Sequence, residues 1–270
     1  MKSHLEIGKS AYDKNFNEYT TYQNSESALI VVQKLLDLLG NINSVIDVGC
    51  GQGVWLASWK KNGVKHVCGL DQIKWSQEGT LLSKHEFISI DFDTYLRRAP
   101  NYKSQKYDIC QCLEVAEHLD PRLSIDLVCY LTSLSDIVVF SSAPPGQGGE
   151  NHINEKPYTW WKTIFEAQGY EMYDSIRPII INEDSVKPWY KYNMFVYVSA
   201  NSESIRVTHI RNSLANYIDK NSVPPELAPF FYRARKLAVR FLPVKAQNYL
   251  AKLKYVISLF NHARSNRSHN

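Results

Sequence analysis

Glu114, Glu117 and His118 stand in the run Glu114-Val115-Ala116-Glu117-His118-Leu119. The E-x-x-E-H spacing puts two carboxylates and an imidazole within one turn of chain, close enough to share one ion. Oxygen ligands with one imidazole suit Mg²⁺ or Mn²⁺ better than zinc. A second cluster lies in residues 141–157, which contain Gly148-Gly149-Glu150-Asn151-His152-Ile153-Asn154. Prolines and glycines make this stretch a loop, and polar side chains on a loop over a fixed sheet are typical of substrate contacts. His152 reads either as a fourth metal ligand beside Glu114, Glu117 and His118 or as a general base, with His118 the other candidate base. Plainer readings also stand, in which the carboxylate of the first segment caps a helix while His118 lines a pocket, and His152 is simply hydrogen-bonded within its loop. A hydroxyl is a poor nucleophile near neutral pH and needs a base in reach or a cation that lowers its pKa. The two clusters therefore favour an oxygen acceptor.

A different kind of site precedes them. The run Val45-Ile46-Asp47-Val48-Gly49-Cys50-Gly51-Gln52-Gly53 is an apolar strand ending in an Asp-containing turn with three alternate glycines. The following Val-Trp-Leu-Ala-Ser-Trp-Lys-Lys reads as a helix. A strand that ends in such a loop and opens a helix lets a ligand approach bare backbone. The spacing is G-x-G-x-G, not the G-x-G-x-x-G of dinucleotide enzymes, which argues against a nicotinamide cofactor. Asp71 and Asp91 end the next two strand-like runs. Ligands of doubly wound sheets bind at the carboxyl ends of strands, where the Asp71 carboxylate can accept from both hydroxyls of a ribose. Each acid alone also reads as a turn or cap residue.

The glycine turn resembles motif I of class I S-adenosylmethionine-dependent methyltransferases, and the order of elements over about residues 40–200 is similar to theirs. The resemblance implies S-adenosylmethionine as cofactor, held by Asp47, Gly49, Cys50, Gly51, Gly53, Asp71, Asp91, Phe92 and Glu114. It places Asp47 near the methionine end, Asp91 at the adenine amino group and the Phe92 backbone N–H on the ring. The E-x-x-E-H segment looks like that of two metal-dependent groups, the small-RNA 3′-terminal 2′-O-methyltransferases and the ubiquinone-pathway O-methyltransferases. G-G-x-x-H-x-N followed by Tyr158, Trp160 and Trp161 resembles methyltransferases of glycan and secondary-metabolite assembly. That likeness makes Asn154, Tyr158 and Trp161 candidate substrate contacts, although at least one of the two tryptophans is expected to pack its helix on the sheet.

The elements that must position these groups follow from periodicity. Residues 25–39 read as a helix capped by Asn24 or Ser25 and stopped at Gly40. Strands are expected at 44–48, 66–70, 86–90, 107–113 and 136–141, with helices at 54–62, 121–135 and 158–169. Two β-rich runs, 170–181 and 190–200, are close enough to pair as a hairpin. The alternation predicts an α/β, Rossmann-like, doubly wound sheet of seven strands, mostly parallel with one antiparallel strand, plus a C-terminal helical extension.

The net charge of +4 hides an asymmetry: residues 201–270 hold 12 Lys and Arg against 3 Asp and Glu, and residues 1–200 hold 19 against 24. The expected division is an N-terminal lid and helix (1–40, with Tyr12, Phe16, Tyr19 and Tyr22 in the lid), a cofactor-binding domain (41–204) and a basic amphipathic helical tail (205–270). In the tail, Leu227, Phe230, Phe231, Ala234, Leu237, Ala238 and Phe241 share one helical face among basic residues, and after Pro243 the spacing repeats through Ala246, Tyr249, Leu250, Leu253, Ile257 and Phe260. Residues 226–260 can pack on the fold, lie on an anionic membrane or follow a nucleic-acid backbone, and 261–270 look disordered. Five cysteines, most of them in apolar strand-like runs (Cys68, Cys110, Cys112, Cys129), suit reduced thiols in a cytoplasmic protein. No secretory signal and no run long enough to span a bilayer is visible. The expectation is O-methylation of a saccharide hydroxyl, free or linked to a lipid or nucleotide. RNA 2′-O-methylation is the alternative enzyme reading, and a catalytically silent fold used for binding or assembly the third.

Overall fold

A computed structural model describes residues 14–98, 106–217, 224–243, 245–247, 249, 250 and 253. Tyr12, the side chains of Phe16, Tyr19 and Tyr22, Ile257, Phe260 and residues 261–270 lie outside what is described. Seven strands form one sheet: β1 Ser44–Val48, β2 His66–Asp71, β3 Phe87–Ser89, β4 Ile109–Leu113, β5 Ile137–Ser141, β6 Tyr170–Tyr173 and β7 Phe195–Ser199. Their order is β3-β2-β1-β4-β5-β7-β6, and β7 runs antiparallel to both neighbours while all other pairs are parallel. β4 and β5 are buried at every position, as a parallel sheet covered on both faces requires.

One face carries α1 Lys14–Leu39 and α2 Val54–Lys61, which bury Ala28, Val31, Leu35, Leu56 and Trp59. The other carries α3 Phe92–Arg98, α4 Ser124–Leu134 and α5 Tyr158–Ala167, burying Phe92, Leu127, Leu131, Trp161 and Phe165. All five cysteines are free thiols.

The two β-rich runs are only partly strand. Residues 174–181 turn after β6 into α6 Arg177–Ile180, and β7 is preceded by α7 Pro188–Asn193. Pro178 and Pro188 sit in the first turns of these helices, where a missing N–H costs nothing, whereas in a strand ladder it would. Helix α3 was not foreseen from periodicity: seven residues with two buried side chains carry too little of it. Expected helix 121–135 begins with a 3₁₀ turn, Pro121–Leu123, before α4.

The fold does not stop at residue 204. Helix α8 Ile205–Ser213 buries Val207 and Ile210 in the same core as α1, and Arg206 pairs with Asp108, which also accepts from the Asn43 and Ser44 N–H groups at the start of β1. Among the described residues the last long helix is α9 Phe230–Arg240. Among the described residues no helix is long and apolar enough to cross a membrane.

Candidate active site

At the carboxyl end of β1 the three glycines all take left-handed backbone: φ is +85° at Gly49, +53° at Gly51 and +85° at Gly53. A Cβ on Gly49 would lie 2.3 Å from Val115, and one on Gly53 would lie 2.5 Å from Leu82; one on Gly51 would meet nothing within 4 Å. The outer glycines are therefore closed by packing and the middle one faces open space, the opening a ligand needs to reach backbone. The Gly49 and Cys50 N–H groups both donate to the Leu70 carbonyl. The Cys50 thiol is buried against Gly69, so this residue offers backbone only, and burial pushes its pKa up.

Asp71 closes the turn. Its Oδ2 accepts from Gly51 N–H at 2.7 Å and its Oδ1 from Ile73 N–H at 3.0 Å; burial raises its pKa against the pull of these backbone donors. A backbone bond from Gln72 adds a third donor, which leaves the carboxylate acceptor capacity for a ribose hydroxyl. Asp47 is buried, and burial lifts its pKa to about 8, with the Gln111 side chain pulling it down and Asp71 adding to the rise. Asp91 is exposed and caps α3, its Oδ1 accepting from Thr94 N–H. The Phe92 ring packs in the core with Leu96 and Leu70, leaving only backbone for a ligand. The opening at Gly51, the Asp71 carboxylate and the start of α2 fit S-adenosylmethionine.

Val115, which fills the space under Gly49, carries the turn directly into the acid–histidine segment. Glu114 is strained, with φ +56°; a non-glycine residue there costs about 1–3 kcal/mol, and such outliers cluster at functional sites. Its N–H donates to the Ser141 carbonyl. Its side chain accepts from Gln147 Nε2 at 2.9 Å and, more weakly, from Asn193 Nδ2 at 3.4 Å. Burial raises its pKa, opposed by Gln147, Ser141, His152 and Asn193.

Glu117, His118 and His152 come together: one ligand atom from each lies within 4.8 Å of the other two. Glu114 is not one of these three: its carboxylate is held by two amides and bonds to the Glu117 carboxyl, so the group has three ligands, not four. Glu117 accepts from Ser142 through Oε2, while its Oε1 is buried without a partner. Burial, then the Glu114 charge, holds its pKa well above the usual carboxylate range. His118 is kept neutral, its pKa lowered to about 3 by burial and then by His152, and the Asn151 carbonyl accepts from its ring. Its Nδ1 is buried and unpartnered, which assigns the ring proton to Nε2 and leaves a lone pair on Nδ1. The His152 ring stands edge-on to it, centroids 4.9 Å apart, in room that exists because Gly149 has no Cβ. Two orphaned acceptor atoms beside a third ligand fit a divalent cation.

His152 is oriented by a residue that sequence reasoning missed. Glu155 Oε1 lies 2.9 Å from His152 Nδ1, and the same carboxylate accepts from the N–H groups of Gly146 and Gly148 at 2.7 and 2.8 Å. A carboxylate on Nδ1–H fixes the tautomer and leaves Nε2 as the basic or ligating atom. The i, i+3 spacing of His152 and Glu155 was the available signal. Gln147 and Asn193 were missed as well, and Asn193 gave no local signal within a run that reads as strand.

The expected substrate contacts divide. Asn154 is a tether: its side chain donates to the Ala116 carbonyl and Ser124 hydroxyl, and with Ile153 it gives backbone N–H bonds to the Glu117 carbonyl. It thereby holds His152 against His118. Trp161 is 1% exposed and packs on Phe140, so it is core and not a sugar face. The Tyr158 hydroxyl donates to Asn193 Oδ1 at 2.8 Å, and its ring lies on Phe195, making it the outer support of the Gln147–Asn193–Glu114 chain. Beneath this chain Arg177 is fully buried, forked onto Asp174 and donating to the carbonyls of Tyr192 and Pro225.

Helix α9 packs over the loop after β5. A Cβ on Gly146 would lie 2.2 Å from the Lys236 carbonyl oxygen and one on Gly148 would lie 2.8 Å from Val239. Tyr232 packs on Tyr192 with centroids 5.2 Å apart, and the buried Lys236 ammonium is held by Glu226 at 2.6 Å.

Residues 16–173 match the family described as methyltransferase domain. The ubiquinone biosynthesis O-methyltransferase of Histophilus somni (strain 2336) is 28% identical over 50% of this chain and 59% of its own length. The protein of the same name from Neisseria meningitidis serogroup A / serotype 4A is 24% identical over 60% of this chain and 65% of its own. The chain thus spans about three-fifths of the length of these curated relatives. An O-methyltransferase family protein from Burkholderia thailandensis shares the fold with a TM-score of 0.52 and 13% identity, covering 70% of this chain and 59% of that one. With the G-x-G-x-G turn, the strand order and more than half of its length matched, this chain belongs to the methyltransferase-domain family, among the class I S-adenosylmethionine-dependent methyltransferases.

Proposed function

We propose that this chain transfers a methyl group to a hydroxyl oxygen, with the hydroxyl of a saccharide, free or lipid-linked, as the acceptor. The observation that carries the reading is His152, whose Nδ1 is fixed by Glu155, which leaves Nε2 as the atom that can take a proton. Oxygen as the acceptor atom is supported by the relatives, which are ubiquinone biosynthesis O-methyltransferases. The sugar itself rests on the resemblance of the loop alone, because Trp161 is in the core.

Bound S-adenosylmethionine supplies an electrophilic methyl on a sulfonium. The protein's part is then to place the acceptor oxygen in line and to remove its proton. Asp71 and the Gly51 backbone hold the cofactor side. Where no cation is bound, His152 Nε2 accepts the proton and the paired Glu155 stabilises the imidazolium that results; with a cation on Nε2 the same atom would be a ligand and not the base. Glu117, His118 and His152 would hold Mg²⁺ or Mn²⁺, and such a cation would lower the pKa of an acceptor hydroxyl bound to it. Burial raises the Glu117 pKa, and a bound cation would favour the ionised carboxylate against that burial.

The test is transfer of labelled methyl into extract of the source cells, separated into polysaccharide, lipid-linked, RNA and protein fractions, with and without EDTA. Label in a glycan or lipid-linked fraction that His152→Ala abolishes supports the reading. Loss in EDTA adds the cation, and full activity in EDTA removes it while leaving His152 as base. Label in RNA overturns the sugar. Cofactor binding by calorimetry with no label in any fraction makes the chain a binding subunit.

A further inference from the structure

Helix α9 meets the fold with the side of it that is least apolar. Lys236 and Val239 are its buried residues, and Tyr232 leans on Tyr192. The aromatic side faces away: Phe230 is 73% exposed, Phe231 85%, Leu237 59% and Phe241 77%. At 100° per residue these four, with Ala234 and Ala238, occupy one arc of about 120°. Arg233 and Arg240 border that arc on one side and Arg235 on the other, all exposed. Leu242, Tyr249, Leu250 and Leu253 continue the exposed apolar surface. No acid follows Glu226, whereas nine Lys and Arg do.

We propose that α9 is an in-plane docking helix for an anionic lipid surface, with its aromatic arc inserted among the acyl chains and its arginines at the headgroups. The arrangement of an apolar centre with cationic borders is what such a surface requires. A second copy of this chain would bring arginine rows together and repel itself. A nucleic-acid backbone would want the cations where the phenylalanines stand. Because the inner side of α9 closes on Gly146 and Gly148, docking brings the loop that carries His152 down to the membrane. That the acceptor is drawn from that surface rests on the O-methyl transfer proposed above; the docking does not.

The experiment is sedimentation of the full chain with vesicles of phosphatidylcholine, with and without phosphatidylglycerol. S-adenosylhomocysteine affinity is followed in parallel as a check on the folded domain. The chain is expected to sediment with the anionic vesicles only. The F231S/F241S variant, altered at two exposed positions, should lose about tenfold or more in vesicle affinity with cofactor affinity unchanged. R233A/R240A should weaken binding at low salt and much less at high salt. A full chain that stays in the supernatant overturns the proposal, as does vesicle binding indifferent to F231S/F241S. RNA binding without vesicle binding, or a dimer that F231S/F241S dissolves, also overturns it. None of these outcomes bears on methyl transfer to a water-soluble acceptor, so the two proposals fail separately.

Discussion

The two halves of the site are built in opposite ways. On the cofactor half, nine consecutive residues and one strand-end acid make the opening, mostly from backbone: Gly51 faces free space, Asp71 ties the turn, and the outer glycines are sealed by Val115 and Leu82. On the acceptor half, the parts come from the end of β4, the loop after β5, helix α7 and helix α9. The Glu114–Asn193 contact alone joins residues 79 apart in sequence. A half made of local backbone is specified by glycine spacing. A half made of distant side chains exists only once the whole sheet has formed, and its chemistry can differ while the turn stays the same.

If the cofactor half is backbone, changing a glycine there should do more damage than changing an acceptor-side group. Gly49→Ala combines a left-handed φ with a Cβ 2.3 Å from Val115, and should destabilise by about 3 kcal/mol or more in urea unfolding. Gly51→Ala adds a Cβ in open space, so only the φ cost of about 1–2 kcal/mol applies. Cofactor affinity should nevertheless fall, and calorimetry showing no change would mean that the opening at Gly51 is not where the ligand approaches. On the other half, Glu155→Gln keeps the shape but removes the charge that orients His152. Methyl transfer should drop about 10- to 100-fold with cofactor affinity intact; equal losses in both would erase the division between halves. The last effect is a slope with pH and belongs to Asp47. Its folded pKa of about 8 stands above the ordinary 3.8, so between these values the native chain holds a proton that the unfolded chain has released. Stability must therefore fall as pH rises through that window, by at most about 1.4 kcal/mol per pH unit from this group. Asp47→Asn should flatten the slope, and parallel unfolding curves for the two proteins across the window would remove Asp47 as its source.

The same contrast decides what could be read beforehand. Strand β1 matches its expected bounds and β2 gains only Asp71, because β-branched runs ending at Gly or Asp are local signals. Glu117, His118 and His152 were legible as types able to bind a cation, and the loop after β5 brings them together. Their neighbours were less so. Gln147 and Asn193 matter because of where β5 and β7 end, which no window of sequence contains. Trp161 read as a candidate sugar face because an aromatic pair at a helix start does not say which ring turns inward. Asn154 read as a substrate contact because a tether and a ligand contact need the same amide. The tail was legible as amphipathic, but not its orientation: two glycines admit the Lys236–Val239 side of α9 and leave the phenylalanines outward.

The seam between α9 and the loop at Gly146 and Gly148 also bears on inheritance. The family match ends at residue 173, yet Asn193 completes the amide chain on Glu114 and α9 is fitted to the loop that carries His152. A side chain added at Gly146 would lift the helix, and a helix of different shape would not seat on the loop. The two must therefore change together, and residues 16–173 alone would lack β7 between β5 and β6, Asn193 and α9.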